Sequence, residues 1–291
     1  MDESLNIYIP FGFNSPTEED IKEAKRWVLL RESNAAHLSD LVQSYIEEAL
    51  DKLVAIGYKY NVKPADFQFS ADEKLREEAA AVLDELEEVV MLLIEGYSLN
   101  ESDDKKRHAA MLPWLLALHS KGTTDLQSTI HKRVGQFLYD TEAQIAAMMI
   151  AGYPRTRALM RIKSTMHAVY TSPEVIISYK YNPKSMYLRS HGVHEGNTGL
   201  SSSGAVNIEN LARQTAQIAW MKSQLMDFEE QGAVGYYQFR GSTYPCHICD
   251  SEVGFHPGLP EEAEYPHAHC VCYRVPIFNT KQEENYVRTI T

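Results

Sequence analysis

The sequence predicts a mainly α N-terminal helical region followed by a smaller α+β domain that contains a zinc-knuckle-like segment. Apolar residues recur at helical spacing through the first part of the chain, β-rich runs appear only later, and all 4 cysteines lie between Tyr244 and Cys272. These observations predict a helical domain over residues 1–165, a basic linker region with short strands and a flexible loop over 166–206, and an α+β zinc-binding domain over 207–291.

The first long helix has a recognisable start. In "SPTEED", Ser15 can cap the helix, Pro16 suits its first turn and Glu18 stands at the spacing of a capping box. Apolar residues then recur at helical spacing to about residue 60, and Gly57 is predicted to end this run.

Three further helices are predicted from caps and glycines. "SADE" (Ser70–Glu73) is a second capping box, which opens an acidic amphipathic helix with Gly96 as its C-cap. Another long helix begins at "TTDLQ" and ends near Gly152, and a short basic helix follows Pro154.

The helical spacing of apolar residues gives way to mixed patterns in the second half of the chain. "EVIISYKY" (Glu174–Tyr181) is short and β-rich, and Ser190–Gly204 is a Gly/Ser-rich loop. One more helix is predicted over Asn207–Gly232. Strands are then expected in Val234–Ser242, before the cysteine segment, and in Cys272–Phe278, which closes it.

Composition narrows the class of protein. The chain has 291 residues, of which 44% are hydrophobic and 23% are charged, as in ordinary globular proteins. No apolar run approaches the roughly 18–20 residues that a membrane span needs, and the N-terminus lacks the pattern of a secretory signal. We therefore expect no membrane partner and a reducing compartment, where clustered cysteines indicate a metal site or catalysis before a disulfide.

The net charge of −12 is unevenly distributed. Residues 1–120 carry 24 acidic and 12 basic residues, whereas Tyr153–His191 carries seven basic residues and one acidic residue. The acidic total argues against bulk nucleic-acid binding, but a local basic face remains available for DNA. The residues expected to form such a contact are Arg155, Arg157, Arg161 and Lys163.

The cysteine segment contains two pairs of potential zinc ligands. Cys246 and Cys249 form a C-x2-C pair, and an H-x2-C pair follows in either of two registers, beginning at His267 or at His269. The gap from Cys249 to these histidines is 17 or 19 residues, inside the range of about 15–20 expected for paired zinc knuckles. The predicted ligands of one structural zinc ion are Cys246, Cys249, His267 and one of Cys270 or Cys272, with His269 as an alternative.

The cysteine segment has other possible interpretations. The four thiols could be reduced core residues, a disulfide-stapled tail, or part of a catalytic Cys–His pair, although such a pair needs only one activated thiolate. A metal has a physical purpose here, because Ser251–Tyr265 is rich in Pro, Gly and Glu and can bury little. Metal binding would supply the ordering free energy that a hydrophobic core cannot.

The order of these features resembles the C-terminal domain of the phage head-morphogenesis, or minor head protein, family of the Mu F type. In that family a helix of "ARTE" type precedes a strand, a C-x2-C pair, a "DG…F" turn and a closing "HPNCRC". The corresponding parts of this chain are Ala212-Arg213, the first cysteine pair, Gly254-Phe255, and His267 with Cys270 and Cys272.

The resemblance covers roughly Asn207–Phe278 and has departures from the family pattern. Gln214-Thr215 stands where the family has its Glu, His269 replaces an Asn, and Val271 replaces an Arg. The resemblance implies a non-enzymatic structural protein of a tailed-phage head. It would associate with the portal or major capsid proteins during assembly in the host cytoplasm and be carried in the virion.

Two other classes of function remain open at this point. One is an enzyme, either a zinc-dependent hydrolase or a toxin-like effector, since domains of this family can be attached to effectors. The other is a nucleic-acid-binding protein with a zinc ribbon. The span from Arg240 to Arg274 argues against a DNA-reading ribbon, since it has two basic and five acidic residues.

Overall fold

The chain is mostly helical, with a small antiparallel sheet close to the cysteines. The structure is a computed structural model that describes residues 8–60, 62–64, 67–98, 105–117, 125–181, 203–260 and 270–280. The helices are α1 (Glu18–Lys59), α2 (Glu73–Tyr97), α3 (Lys105–Ala117), α4 (Leu126–Ile150), α5 (Arg155–Thr165), α6 (Pro173–Tyr181), α7 (Gly204–Glu230) and α8 (His247–Ser251). The strands are β1 (Gly235–Phe239), β2 (Gly254–Pro257) and β3 (Tyr273–Ile277).

The described residues fall into two compact units that are interleaved along the sequence. The first unit draws on Met1–His37, Tyr97–Met111 and Gln214–Thr291, and the second on Leu38–Gly96 and Leu112–Arg213. The predicted fold class of a helical region with a small α+β part is confirmed. The units, however, do not follow the three consecutive segments expected from the sequence, because the beginning of α1 packs with the sheet.

The sheet lies at the centre of the first unit. Its strand order is β2-β1-β3 with both pairings antiparallel, so the predicted strands around Gly235 and Tyr273 are confirmed. Tyr237 and Phe239 of β1 share a hydrophobic cluster with Ala24 of α1, while Tyr236 packs with residues of α7. Because side chains alternate along a strand, β1 is covered on both faces, and all five of its residues are buried.

The start of α1 lies slightly later than predicted. Thr17, rather than Ser15, caps the helix, since its Oγ1 accepts a hydrogen bond from Asp20 N at 3.2 Å. Asp20 Oδ2 accepts one from Thr17 N at 2.8 Å in return. This is the reciprocal arrangement of a capping box, moved two residues along the chain from the predicted position.

Two glycines predicted to end helices lie inside those helices instead. Gly57 lies inside α1, where a Cβ would stand 3.1 Å from the ring of Phe67 and 3.2 Å from Ile145. This glycine therefore serves close packing rather than termination. Gly96 likewise lies within α2, which runs to Tyr97 and is capped at its start by Asp72 Oδ1, not by Ser70.

The predicted strand at Glu174–Tyr181 was also wrong, because this stretch is helix α6. Ser172 is extended and precedes Pro173 in the first helical position, an arrangement that favours a helix start. Val175 and Ser178, three residues apart, are both buried, as expected for one face of a helix. Tertiary packing thus overrides the β propensity of the Val-Ile-Ile run.

Other elements were predicted correctly. Asp125 caps α4 through a hydrogen bond from Ser128 N to Asp125 Oδ1 at 2.6 Å, and α5 follows Pro154. The helix before the sheet ends at a turn in which Gly232 has a φ of 77°, a conformation that glycine adopts without strain. Most of the predicted Ser190–Gly204 loop lies outside the described residues. No helix that the structure describes is long and apolar enough to cross a membrane.

The carboxyl group of Glu142, in the second unit, is largely removed from solvent. Glu142 of α4 accepts a hydrogen bond from the backbone N of Phe69 at 2.9 Å, beside the buried rings of Phe67 and Phe69. Burial raises the pKa of Glu142 from 4.5 to about 7, and the hydrogen bond from Phe69 lowers it only in part. The folded chain therefore holds a proton at pH values where the unfolded chain has released it.

We expect Glu142→Gln to stabilise the protein above pH 7 and to have little effect near pH 4. In the wild type, the contribution of Glu142 to stability falls as pH rises from 4.5 to about 7 and is constant above, since the folded-state pKa of this group is the higher one. A shift of this size corresponds to about 3 kcal/mol, and Gln removes the ionisation but keeps an acceptor for Phe69 N. Denaturant unfolding at several pH values measures this, with the exposed Glu77→Gln as the matched control. Parallel pH profiles for the wild type and Glu142→Gln would contradict the assignment.

Candidate metal centre

The pairing of β1 with β3 brings the cysteines together. In this antiparallel pair Phe239, the last residue of β1, is opposite Tyr273, the first residue of β3. The chain leaving β1 therefore lies beside the chain entering β3. The first of these segments carries Cys246 and Cys249 at α8, and the second carries Cys270 and Cys272.

Three of the thiols form a compact, buried group. The Sγ atoms of Cys249, Cys270 and Cys272 all lie within 4.8 Å of one another, and those of Cys249 and Cys270 are 3.7 Å apart. The three residues are between 3% and 9% exposed. None of the four cysteines, all of which lie in the described part of the chain, forms a disulfide.

These distances fit a tetrahedral metal site. With Zn–S bonds of about 2.3 Å, the edge of a tetrahedron of sulfurs is about 3.8 Å. The separation of 3.7 Å between Cys249 and Cys270 matches that edge. The cluster is thus compatible with a bound metal ion.

Cys246 stands next to this group. It is half-buried, packs against the other three cysteines and shares a hydrogen bond with the thiol of Cys249. Its backbone carbonyl accepts a hydrogen bond from Asp250 N at 2.8 Å, which closes the turn of the C-x2-C pair. The structure therefore places a fourth thiol at the edge of the cluster.

The thiols influence one another strongly. Sharing a hydrogen bond with Cys270 lowers the pKa of Cys272 to about 5 and raises that of Cys270. Burial, together with hydrogen bonds shared with Cys246 and Cys272, raises the pKa of Cys249 to about 12. In the absence of a cation the cluster thus concentrates thiolate character on Cys272, whereas a bound metal would favour the thiolate form of each ligand.

Gly241 is a site residue that the sequence did not reveal. Its backbone N–H donates to Cys272 and lowers the pKa of that thiol. A Cβ on Gly241 would overlap the backbone carbonyl group of Val271 and would lie 3.2 Å from Cys272 N. The absence of a side chain therefore allows the two cysteine-bearing segments to approach each other.

Arg240 organises the loop before the first cysteine pair. Its Nη1 donates to the backbone carbonyl of Cys246 at 3.0 Å and also pairs with Asp250. Its Nε and Nη2 donate to the carbonyl of Ser242 at 3.3 and 3.2 Å, and Nη2 also bonds Tyr244 O. The positive charge of Arg240 also lowers the pKa of Cys272.

A second arginine reaches the site from the other end of the chain. Arg31 of α1 donates from Nη2 to the backbone carbonyl of Cys270 at 2.7 Å, across 239 positions of sequence. No short-range pattern in the sequence could have indicated this contact. It required the packing of α1 on the sheet.

The structure places both alternatives of the predicted ligand choice in the cluster. Cys270 and Cys272 each have their Sγ within 4.8 Å of the other thiols, so both stay predicted ligands. His267 and His269 lie outside the described residues. Gly254, the first residue of the predicted turn, has a φ of 138° at the start of β2, a conformation that favours glycine.

The residues predicted to contact DNA have different environments. Arg161 forms a two-pronged ion pair with Glu174 at 2.8 and 3.1 Å, and Lys163 pairs with Asp51 at 2.8 Å. The remaining two, Arg155 and Arg157, are exposed, and Arg157 stacks on a tyrosine ring. Two of the four residues predicted to contact DNA, Arg161 and Lys163, thus already have carboxylate partners within the second unit.

Comparisons with known proteins do not identify the chain. No known protein family, curated protein or solved structure matches it. The resemblance to the phage head-morphogenesis family therefore stays a prediction based on the order of the motifs.

We expect Gly241→Ala to weaken metal binding about tenfold or more. Relieving the overlap with Val271 must move the loop away from Cys272, and displaced surroundings of metal ligands commonly cost 10–100-fold in affinity. Competition with a chromophoric chelator measures this. The control is Gly96→Ala, since a Cβ there meets nothing within 4 Å, and this variant should bind metal as the wild type does. Equal affinity of Gly241→Ala and the wild type would show that the close approach is not required.

Proposed function

We propose that this chain is a non-enzymatic structural protein whose cysteine cluster holds one zinc ion, and that it acts as a minor head protein in the assembly of a tailed bacteriophage. The observation that carries the structural part is the buried group of Cys249, Cys270 and Cys272, with Cys246 packed against it. The assignment to a phage head depends on the motif order described above.

Zinc is the metal that best suits these donors. Thiolates bind soft or borderline ions, and zinc sites built from cysteine pairs are usually tetrahedral. The cysteines come from two segments that leave and enter neighbouring strands. A metal ion would therefore connect α8 to the start of β3.

A structural role accounts for the burial of the cluster better than catalysis does. A catalytic zinc ion keeps a coordination position open for water, whereas a structural one is enclosed by protein ligands. Here four thiols can complete a tetrahedron, and three of them are 9% exposed or less. Among the described residues the cysteine cluster is the one group of potential metal ligands that lie close together. A zinc-dependent hydrolase or toxin-like effector remains the rival, and a metal-bound water would favour it.

The proposed partners are the portal and major capsid proteins, with the protein located in the virion near the portal. Long amphipathic helices such as α1 and α2 suit docking against other helices. Contact with packaged DNA is a secondary part of this proposal and is restricted to Arg155 and Arg157, since Arg161 and Lys163 already have carboxylate partners.

We expect purified protein to contain about one equivalent of zinc, and Cys249→Ser to lose it. Because the cluster shares the first unit with the beginning of α1, loss of the metal should destabilise that part of α1 together with the sheet. Elemental analysis measures the zinc content, and hydrogen exchange should become faster in β1, β3 and the first turns of α1. The exposed neighbour His247→Ala serves as the control. A metal-free wild type that is fully folded would refute the zinc assignment.

The phage assignment has an independent test. The gene should lie beside genes for portal and major capsid proteins, and the full-length protein should be detected by mass spectrometry in purified particles. A gene located among toxin or metabolic genes, with no protein in particles, would contradict the assignment. Such a result would leave the zinc prediction unaffected, because that prediction depends on the cysteine geometry alone.

A further inference from the structure

Arg31 is the bulkiest fully buried side chain in the described part of the chain. The residue is 1% exposed and belongs to α1, inside the first unit. A guanidinium group stays charged at all ordinary pH values, and burying it is costly unless its donors are satisfied. The burial of Arg31 is therefore explained by the contacts that its N–H groups make.

These contacts join two helices to the cysteine cluster. Besides donating to the carbonyl of Cys270, Arg31 donates from Nε and Nη2 to Glu32 Oε1 at 3.3 and 3.1 Å. The same oxygen of Glu32 accepts a hydrogen bond from Gln217 Nε2 of α7 at 2.7 Å. The carboxylate thereby holds the guanidinium in place between α1, α7 and the peptide that follows Cys270.

That peptide is critical for the geometry of the cluster. The carbonyl of Cys270 is separated from Cys272 by one residue, and the backbone N–H of Cys272 donates back to the thiol of Cys270. Fixing this carbonyl restricts the directions of both thiols. A hydrogen bond from a charged donor is also stronger than one between neutral groups.

We propose that all four cysteines bind the metal and that Arg31 is the positioning residue that holds Cys270 and Cys272 in place through the Cys270 carbonyl. This inference rests on the proposed metal site and specifies its ligands and its support. It replaces the mixed cysteine–histidine ligand set expected from the sequence with four thiolates.

The ligand set follows from the geometry of the described residues. Three sulfurs already lie within 4.8 Å of one another, and Cys246, which packs against this group, shares a hydrogen bond with the thiol of Cys249. Four thiolates complete a tetrahedral site without a contribution from His267 or His269. Partners of metal ligands that lie outside the coordination sphere orient those ligands, and their loss commonly costs 10–100-fold in metal affinity.

Cobalt(II) is a suitable probe because its absorption spectrum reports the number of thiolate ligands. Full-length wild-type protein loaded with Co²⁺ should give the spectrum of a tetrahedral site with four sulfurs. Cys246→Ser should reduce the intensity of the sulfur-to-cobalt charge-transfer band, and His267→Ala should leave it unchanged. A three-sulfur, one-nitrogen spectrum in the wild type, or a change of spectrum on His267→Ala, would overturn the four-thiolate set.

The role of Arg31 is tested by Arg31→Met, which should bind Co²⁺ and Zn²⁺ about 10–100-fold more weakly. Arg31→Lys can still donate to the Cys270 carbonyl but cannot make the paired hydrogen bonds from Nε and Nη2 to Glu32. It should therefore bind metal more tightly than Arg31→Met but more weakly than the wild type. This second variant keeps the test valid if Arg31→Met does not fold.

The matched control is Arg107→Met in the same unit. The side chain of Arg107 is 14% exposed and pairs with Asp227 at 2.5 Å and Glu230 at 2.9 Å, but these contacts are with α7 and not with a cysteine. General destabilisation would weaken metal binding in both variants, whereas a positioning role predicts a loss for Arg31→Met only. Equal losses in the two variants, or wild-type affinity in Arg31→Met, would overturn the role of Arg31. A wild type that takes up neither ion would instead refute the proposed metal site itself.

Discussion

The antiparallel pairing of β1 with β3 is the interaction on which the rest of the first unit depends. It places the chain that leaves Phe239 beside the chain that enters Tyr273, and so the two cysteine-bearing segments deliver their thiols to one point. The pairing also creates a sheet whose central strand is buried on both faces. A three-stranded sheet of this size has little core of its own, so it needs helices on its faces and an additional constraint at its end.

The need for a helix on each face of the sheet explains why the beginning of α1 and the C-terminal part of the chain share one unit. The beginning of α1 covers one face of β1 through Ala24 and Val28, and α7 covers the other face through Met221 and Leu225. The polar contacts follow the same arrangement, since Arg31 joins α1 to the cysteine cluster. The cysteine cluster is therefore part of the same compact unit as the beginning of α1.

Charge in the second unit is organised around internal pairs. Lys163 pairs with Asp51 of α1, and Arg161 pairs with Glu174. The opposite charges of the N-terminal part and the basic middle of the sequence thus serve in part to hold helices together. This use of charge limits what the basic segment can offer to a nucleic acid, because a paired cation releases fewer counterions on binding phosphate.

The sequence by itself determined the features that depend on local patterns. Helical periodicity predicted the long helices, the aromatic run before the cysteines predicted β1, and cysteine spacing predicted a cluster of thiols, since each signal is contained within a short stretch of sequence. Tertiary structure alone decided the rest. It made α6 a helix despite its β-rich residues, made Gly57 a packing residue instead of a helix end, and brought Gly241 and Arg31 to the cysteines. These outcomes depend on contacts between residues distant in sequence. Such contacts produce no periodic pattern of residues that could be recognised in the sequence.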